Sequence, residues 1–164
     1  MLLHAARVAL AWLVGAAVAY ALASVAHTQT VLAGLVAVGA EIDPATRLGA
    51  TLDDLAGLWR WGVVAGLSIG LGLAIVRLAT FARWRRRHGL VLAALAGALG
   101  VAAALLAMRL AFGFSPIASA RGAVGFAAQC LAGAAGGVAF RLALDRLGGR
   151  AGRADPAAGA PPAR

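Results

Sequence analysis

Gly66-Leu67-Ser68-Ile69-Gly70 spells G-x-S-x-G, the pattern that sets a nucleophilic serine on a sharp strand-to-helix turn in one class of hydrolases. Here the five residues sit inside an uncharged run where a continuous helix is expected, and no histidine lies in that run to act as a base. The match therefore carries no chemistry. The three histidines are His4 and His88, expected on one side of a membrane, and His27, expected on the other. They cannot converge on a structural or catalytic metal or on a haem, so no metal site and no cofactor is assigned. No phosphate-cradling loop or dinucleotide fingerprint is present, and no catalytic residue is assigned. The one combination left for hydrolysis is an outer set of His27, Ser115, Ser119 and nearby acids.

Other residues could bind rather than react. Gln129 is a strongly polar residue deep in an apolar run, where an amide either hydrogen-bonds a neighbouring helix or lines a solute path; Ser68 and Tyr20 are its expected partners. Arg109 and Arg121 flank the expected start of the last helix, whose free N–H groups favour an anion or a lipid headgroup; the plainer account is that both arginines snorkel to the surface. Arg83, Trp84, Arg85, Arg86 and Arg87 form a basic, aromatic cluster suited to lipid headgroups on the opposite side, and equally to setting orientation. Cys130 stands alone, so no internal disulfide can form, and within an apolar span it reads as a small packing residue.

The elements that hold these residues belong to a lipid environment. Of 164 residues 62% are hydrophobic and 13% charged, and the mean hydropathy is +0.87, against about a quarter charged in a soluble domain. The net charge of +9 comes from fifteen arginines, without lysine, against six acids. Those arginines cluster beside apolar runs, which is a topogenic pattern and not the stripe that would grip nucleic acid, so no nucleic-acid partner is expected. Such arginine bias is typical of GC-rich bacterial genomes, and a bacterial inner membrane is the expected location.

Four spans are read, at about 8–26, 60–78, 89–109 and 118–141, within one domain of residues 1–147. Trp12 suits an interfacial belt on the first. A cleaved signal peptide competes for this stretch, because Ser24-x-Ala26 imitates a cleavage site, although the apolar run is longer than usual. Residues 31–40 are too short to cross about 30 Å of hydrocarbon and are expected along the interface. Asp43-Pro44 opens an amphipathic external helix over 44–58, with Leu48, Leu52, Leu55 and Trp59 on one face and Arg47, Thr51 and Asp54 on another. Its acids could pair with Arg109 and Arg121 across the bundle mouth. Ser115 and Pro116 are expected to cap and start the last helix. Residues 148–164, rich in Gly, Pro, Ala and Arg, are expected as a disordered cytoplasmic tail.

Small residues recur every four positions on two spans: Gly125, Gln129, Gly133 and Gly137 on the last, and Gly62, Gly66 and Gly70 on the second. Such faces let backbones approach closely, and pairing of spans two and four is the preferred contact, with a homodimer equally compatible. Arginine counts on alternate sides, eleven against four, place both termini in the cytoplasm. The fold class is therefore an all-α, polytopic membrane bundle of four antiparallel helices plus an external amphipathic helix. No ionisable side chain lies mid-span, which argues against ion-coupled transport. The expected role is a non-enzymatic packing or accessory component that associates with itself or a larger membrane partner in the bilayer. A small oligomeric channel or facilitator for a neutral solute or lipid is the alternative.

Overall fold

The structure, a computed structural model, describes residues 2–79, 82–115 and 117–153, with side chains described outside 77–87 and 149–153. Its elements are α1 (Leu2–Ala37), α2 (Pro44–Gly57), α3 (Trp59–Ala79), α4 (Ala82–Phe112), a 3-10 turn (Ala118–Arg121) and α5 (Ala123–Arg153). The described residues contain no strand. Four stretches are long and apolar enough to cross a membrane: Leu2–Ala37, Trp59–Val76, His88–Phe112 and Ala123–Gly148.

α1 corrects the expected break after Ala26. The helix runs on for 36 residues, about 54 Å at 1.5 Å per residue, so Val31–Ala37 are its last turns and not a separate interfacial segment. The polar stretch that suggested a loop satisfies itself inside the helix. Thr30 donates its hydroxyl to the Ala26 carbonyl at 2.7 Å, and Thr28 lies 3.1 Å from the Ser24 carbonyl. The helix ends where Gly39 takes φ +94° and the Gly39 and Ala40 N–H groups turn back to the Val36 and Leu35 carbonyls.

α2 begins as Asp43-Pro44 implies. The Asp43 carboxylate accepts from the Thr46 N–H at 2.9 Å and its hydroxyl at 2.7 Å, with Pro44 in the first turn. These bonds hold the Asp43 carboxyl below the usual carboxylate range. A single residue, Leu58, joins α2 to α3. α4 is broken at His88 (φ −121°, ψ 25°), next to Gly89, which the Arg141 guanidinium covers.

The last span also differs from expectation. Ser115 does not cap it: its hydroxyl donates to the Ile117 carbonyl, and a 3-10 turn intervenes before α5 starts at Ala123. Pro116 lies outside the described residues. α5 then continues to Arg153, so residues 148–153, expected in a disordered tail, are helical; residues 154–164 lie outside the described residues.

The four long helices contact one another in a ring, α1 against α5, α5 against α4, α4 against α3 and α3 against α1, while α3 and α5 lie across the diagonal and meet through side chains, Trp61 and Ile69 reaching α5, and not backbone to backbone. This corrects the preferred pairing of spans two and four. The notches on α3 are filled by aromatic side chains of α1: Tyr20 covers Gly62, and Trp12 lies over Gly66 and Gly70. Trp12 is thus a knob against α3, its indole N–H donating to the Gly66 carbonyl at 2.9 Å. The glycines of α5 meet α4 instead. A Cβ on Gly133 would lie 2.6 Å from the Gly97 carbonyl oxygen, and one on Gly137 would strike the Ala93 carbonyl, so the backbones touch there. On its other side α5 meets α1, where a Cβ on Gly136 would lie 2.7 Å from the Gly15 carbonyl oxygen.

The interior is small and the exterior large. Ala11, Ala19, Ala23, Ala65, Ala93, Ala96 and Ala132 are buried; Ile69 is the bulkiest fully enclosed side chain, and Trp61, Leu105, Leu92 and Leu32 are nearly as well covered. Leu13, Leu67, Leu71, Leu99 and Leu131 are exposed. A soluble fold sorts these sizes the other way, whereas a bundle surrounded by acyl chains gains nothing by hiding leucine.

Candidate functional site

Polar side chains converge at one end of the ring. Gln129 on α5 is enclosed at 1% exposure. Its Oε1 accepts from the Trp61 indole N–H of α3 at 3.2 Å, and its Nε2 donates to the Ala23 carbonyl of α1 at 3.0 Å and to Ser119 Oγ of the 3-10 turn at 3.4 Å. One amide thereby ties three long helices and a turn together. Ser119, itself buried, lies 3.0 Å from His27 Nδ1 on α1. The turn sits tightly under α5 because Gly125 leaves room for the Ser119 carbonyl, where any Cβ would collide.

Beside this node α2 is strapped to α1 by its polar side. The Thr28 hydroxyl donates to the Asp54 carboxylate, the Gln29 amide donates to Thr51 Oγ at 3.3 Å, Arg47 donates to Gln29 Oε1 at 2.8 Å, and the Tyr20 hydroxyl donates to the Leu55 carbonyl. Arg47, Thr51 and Asp54 thus turn towards α1, while Leu48 and Leu52 are exposed. Under the strap, Ser24 Oγ is fully buried without a hydrogen-bond partner among the described residues, a costly arrangement for a hydroxyl.

Several expected contacts form differently. Neither Ser68 nor Tyr20 reaches Gln129: Ser68 donates back to the Val64 carbonyl at 2.7 Å, and Tyr20 is held by α2. Trp61 and Ser119 take their places. The α2 acids make no ion pair with Arg109 or Arg121 among the described residues; the ion pair there is Arg141–Asp145 at 2.9 Å. Arg121 donates to the Ser115 carbonyl at 3.2 Å and so closes the turn, and Arg109 is exposed in the last turn of α4. The side chains of Arg83, Trp84, Arg85, Arg86 and Arg87 lie outside the described residues, although their backbone belongs to α4.

The catalytic set is half assembled. His27 meets Ser119, but Ser115 stands apart, and no described acid bonds the His27 ring; Asp54 reaches Thr28 instead. A serine paired with a histidine needs a group to orient the base and room for a substrate beside the nucleophile. Ser119 is 4% exposed, and its second neighbour is an amide already committed to helix contacts. Among the described residues no three His, Cys, Asp or Glu side chains group as metal ligands would. The arrangement suits joining helices better than turning over substrate.

No family model matches the chain, and comparison with curated proteins and with solved structures likewise gives no match.

Proposed function

We propose that the chain is a multi-pass protein of a bacterial inner membrane, an antiparallel four-helix bundle with both termini cytoplasmic, acting as a non-enzymatic accessory component for a partner in or on that membrane. The observation that carries this reading is the engagement of Gln129: each end of its amide is used between helices, and α4 and α5 meet closely at Gly133 and Gly97, one turn further along α5. That favours an amide that fixes helix register over one that lines a conduit.

The surface left over is where we place a partner. Because the glycine faces are consumed inside the bundle, association with a second protein falls to other side chains. His27 lies level with Ser119, two residues before Arg121, and α1 continues for ten residues past it, about 15 Å of helix, with α2 packed against its first turn. Val31, Leu35 and Val36 near the end of α1, and Leu48 and Leu52 on the adjoining α2, are large apolar side chains that the other described residues leave exposed.

The test is a photo-crosslinking amino acid placed at Leu35 or Leu52 in native membranes. A discrete protein adduct at these positions, absent when the crosslinker replaces Leu71 on the bundle flank, is the expected result. Equal labelling of lipid at all three sites, with no protein adduct, would count against the accessory role.

A further inference from the structure

Two grooves of similar size open on the bundle flank. The inner one, about 420 Å³, lies between α3 and α4 and is lined by Ser68, Leu71, Gly72, Ile75 and Leu99 among others, without a charge. The outer one, about 470 Å³, lies where the α2–α3 junction, the end of α4 and the following loop meet. Its floor includes Trp61, Val64 and Met108, Phe112 and Phe114 stand at its exposed edge, and Arg60 is its one charged lining residue. Both volumes fall in the range of about 300 to 1,000 Å³ typical of small-ligand sites.

The outer groove presents carbon except at its mouth. The Trp61 indole N–H is given to Gln129, so its ring shows the groove an apolar surface. The Arg60 guanidinium is exposed, stacked 5.6 Å from the centroid of the Trp59 ring, and no described carboxylate pairs with it. Of the two acids on the neighbouring turn of α2, Asp54 is taken by Thr28, and the exposed Asp53 makes no ion pair with Arg60 among the described residues. An apolar slot with an uncompensated guanidinium at its rim is complementary to an acyl chain joined to a phosphodiester.

We propose that this outer groove binds an anionic phospholipid, one acyl chain lying over Trp61, Val64 and Met108 and the phosphate held by Arg60. The proposal rests on the membrane reading above. It is separate from the expected anion contacts at Arg109 and Arg121, neither of which lines this groove.

The full chain reconstituted in nanodiscs of phosphatidylglycerol and phosphatidylcholine, then released into native mass spectrometry, reads the bound lipids directly. Phosphatidylglycerol should be retained over phosphatidylcholine by about five-fold at this site, the factor that one basic residue near the surface supplies. The Arg60→Gln variant should lose one phosphatidylglycerol adduct relative to the native chain, while Arg109→Gln, an equal charge change off the groove, should lose none. Val64→Trp, which fills the slot, should lose the same adduct as Arg60→Gln. Should Val64→Trp fail to fold, the two exposed arginine variants still decide. Retention of every adduct in Arg60→Gln, or equal loss in Arg109→Gln, overturns the proposal. Flotation with vesicles of the same lipids separates the two failures: a chain that does not float overturns the membrane reading itself, and one that floats with Arg60-independent adducts overturns the groove alone.

Discussion

The body of the ring and its polar end are joined by different physics. Along the body, α5 meets α4 and α1 through glycine, with carbonyl oxygens where side chains would otherwise stand, and α3 meets α1 through aromatic rings set in glycine notches. At the polar end α1, α3 and α5 are joined by hydrogen bonds through Gln129, Trp61, Ser119 and His27, and α2 is attached chiefly by Thr28, Gln29, Arg47 and Tyr20. Shape complementarity has no tolerance for added volume but no dependence on protonation. A hydrogen-bonded end can be loosened one bond at a time. The two regions should therefore fail in different ways.

The largest effect is expected in the body. Gly133→Leu drives a side chain into the Gly97 carbonyl and the Val101 methyl, neither of which can retreat without parting α4 from α5. Overpacking in a tight core costs about 1 to 3 kcal/mol and more where backbone is struck, so this variant should lose the monodisperse peak in detergent chromatography. A Gly133→Leu chain with an unchanged elution profile would mean that the two backbones do not touch. Gly34→Leu, where no atom lies within 4 Å of the added Cβ, is the matched control and should behave as the native chain.

Gln129→Leu should be milder. It leaves the buried Trp61 N–H without its acceptor, a loss of about 1 to 3 kcal/mol that lowers the detergent-unfolding midpoint without abolishing the fold. The companion substitution Trp61→Phe should cost little more in that background, because the bond is already gone. Additive losses in the double variant would show that the two residues act independently and that the node is not a node. Ser119→Ala should cost less again, about 0.5 to 1.5 kcal/mol, since it removes one hydroxyl from a cluster otherwise intact. A fluorophosphonate probe that labels native Ser119, and is silenced in His27→Ala, would instead make the pair a nucleophile and base.

The contrast also separates what could be read from residues from what could not. An apolar run with its charges only at the edges is a local property, and Trp59–Val76 and His88–Phe112, with Arg60 and Arg109 near their ends, follow from it directly. The small face of α5 is likewise visible as a four-residue period. Which helix fills that face is not, because a period specifies a direction around an axis and no address. Trp12 shows the difficulty: one aromatic ring on α1 claims Gly66 and Gly70 and so diverts α3 away from α5. The length of α1 was hidden for another reason. His27-Thr28-Gln29-Thr30 looks like a loop until its hydroxyls bond back along the helix and its outward groups find α2. The node was half legible, since Gln129 announces itself by depth, whereas Trp61, Ala23 and Ser119 come from three other segments and meet it only in the folded chain.

The smallest effect belongs to the start of α2 and is the one that depends on pH. Asp43 is exposed, and its carboxyl sits below its ordinary value because the ionised form accepts from the Thr46 N–H and hydroxyl. A carboxyl lowered on folding contributes its stabilisation above the unfolded value of 3.8, and that contribution fades as pH falls through the lower folded value. Protection of the Thr46 amide, measured by hydrogen exchange against a peptide reference, should accordingly be steady near neutrality and fall in acid. Asp43→Asn keeps an oxygen that can cap the helix but cannot titrate there, so its protection should be flat over the same range. Exchange at amides around Gly97, Gly133 and Gly137 should ignore the change in both proteins, because backbone meets backbone there. If body and strap lost protection together in acid, they would be one cooperative unit, and the division between shape and hydrogen bonding would fall at the level of stability even where the contacts differ.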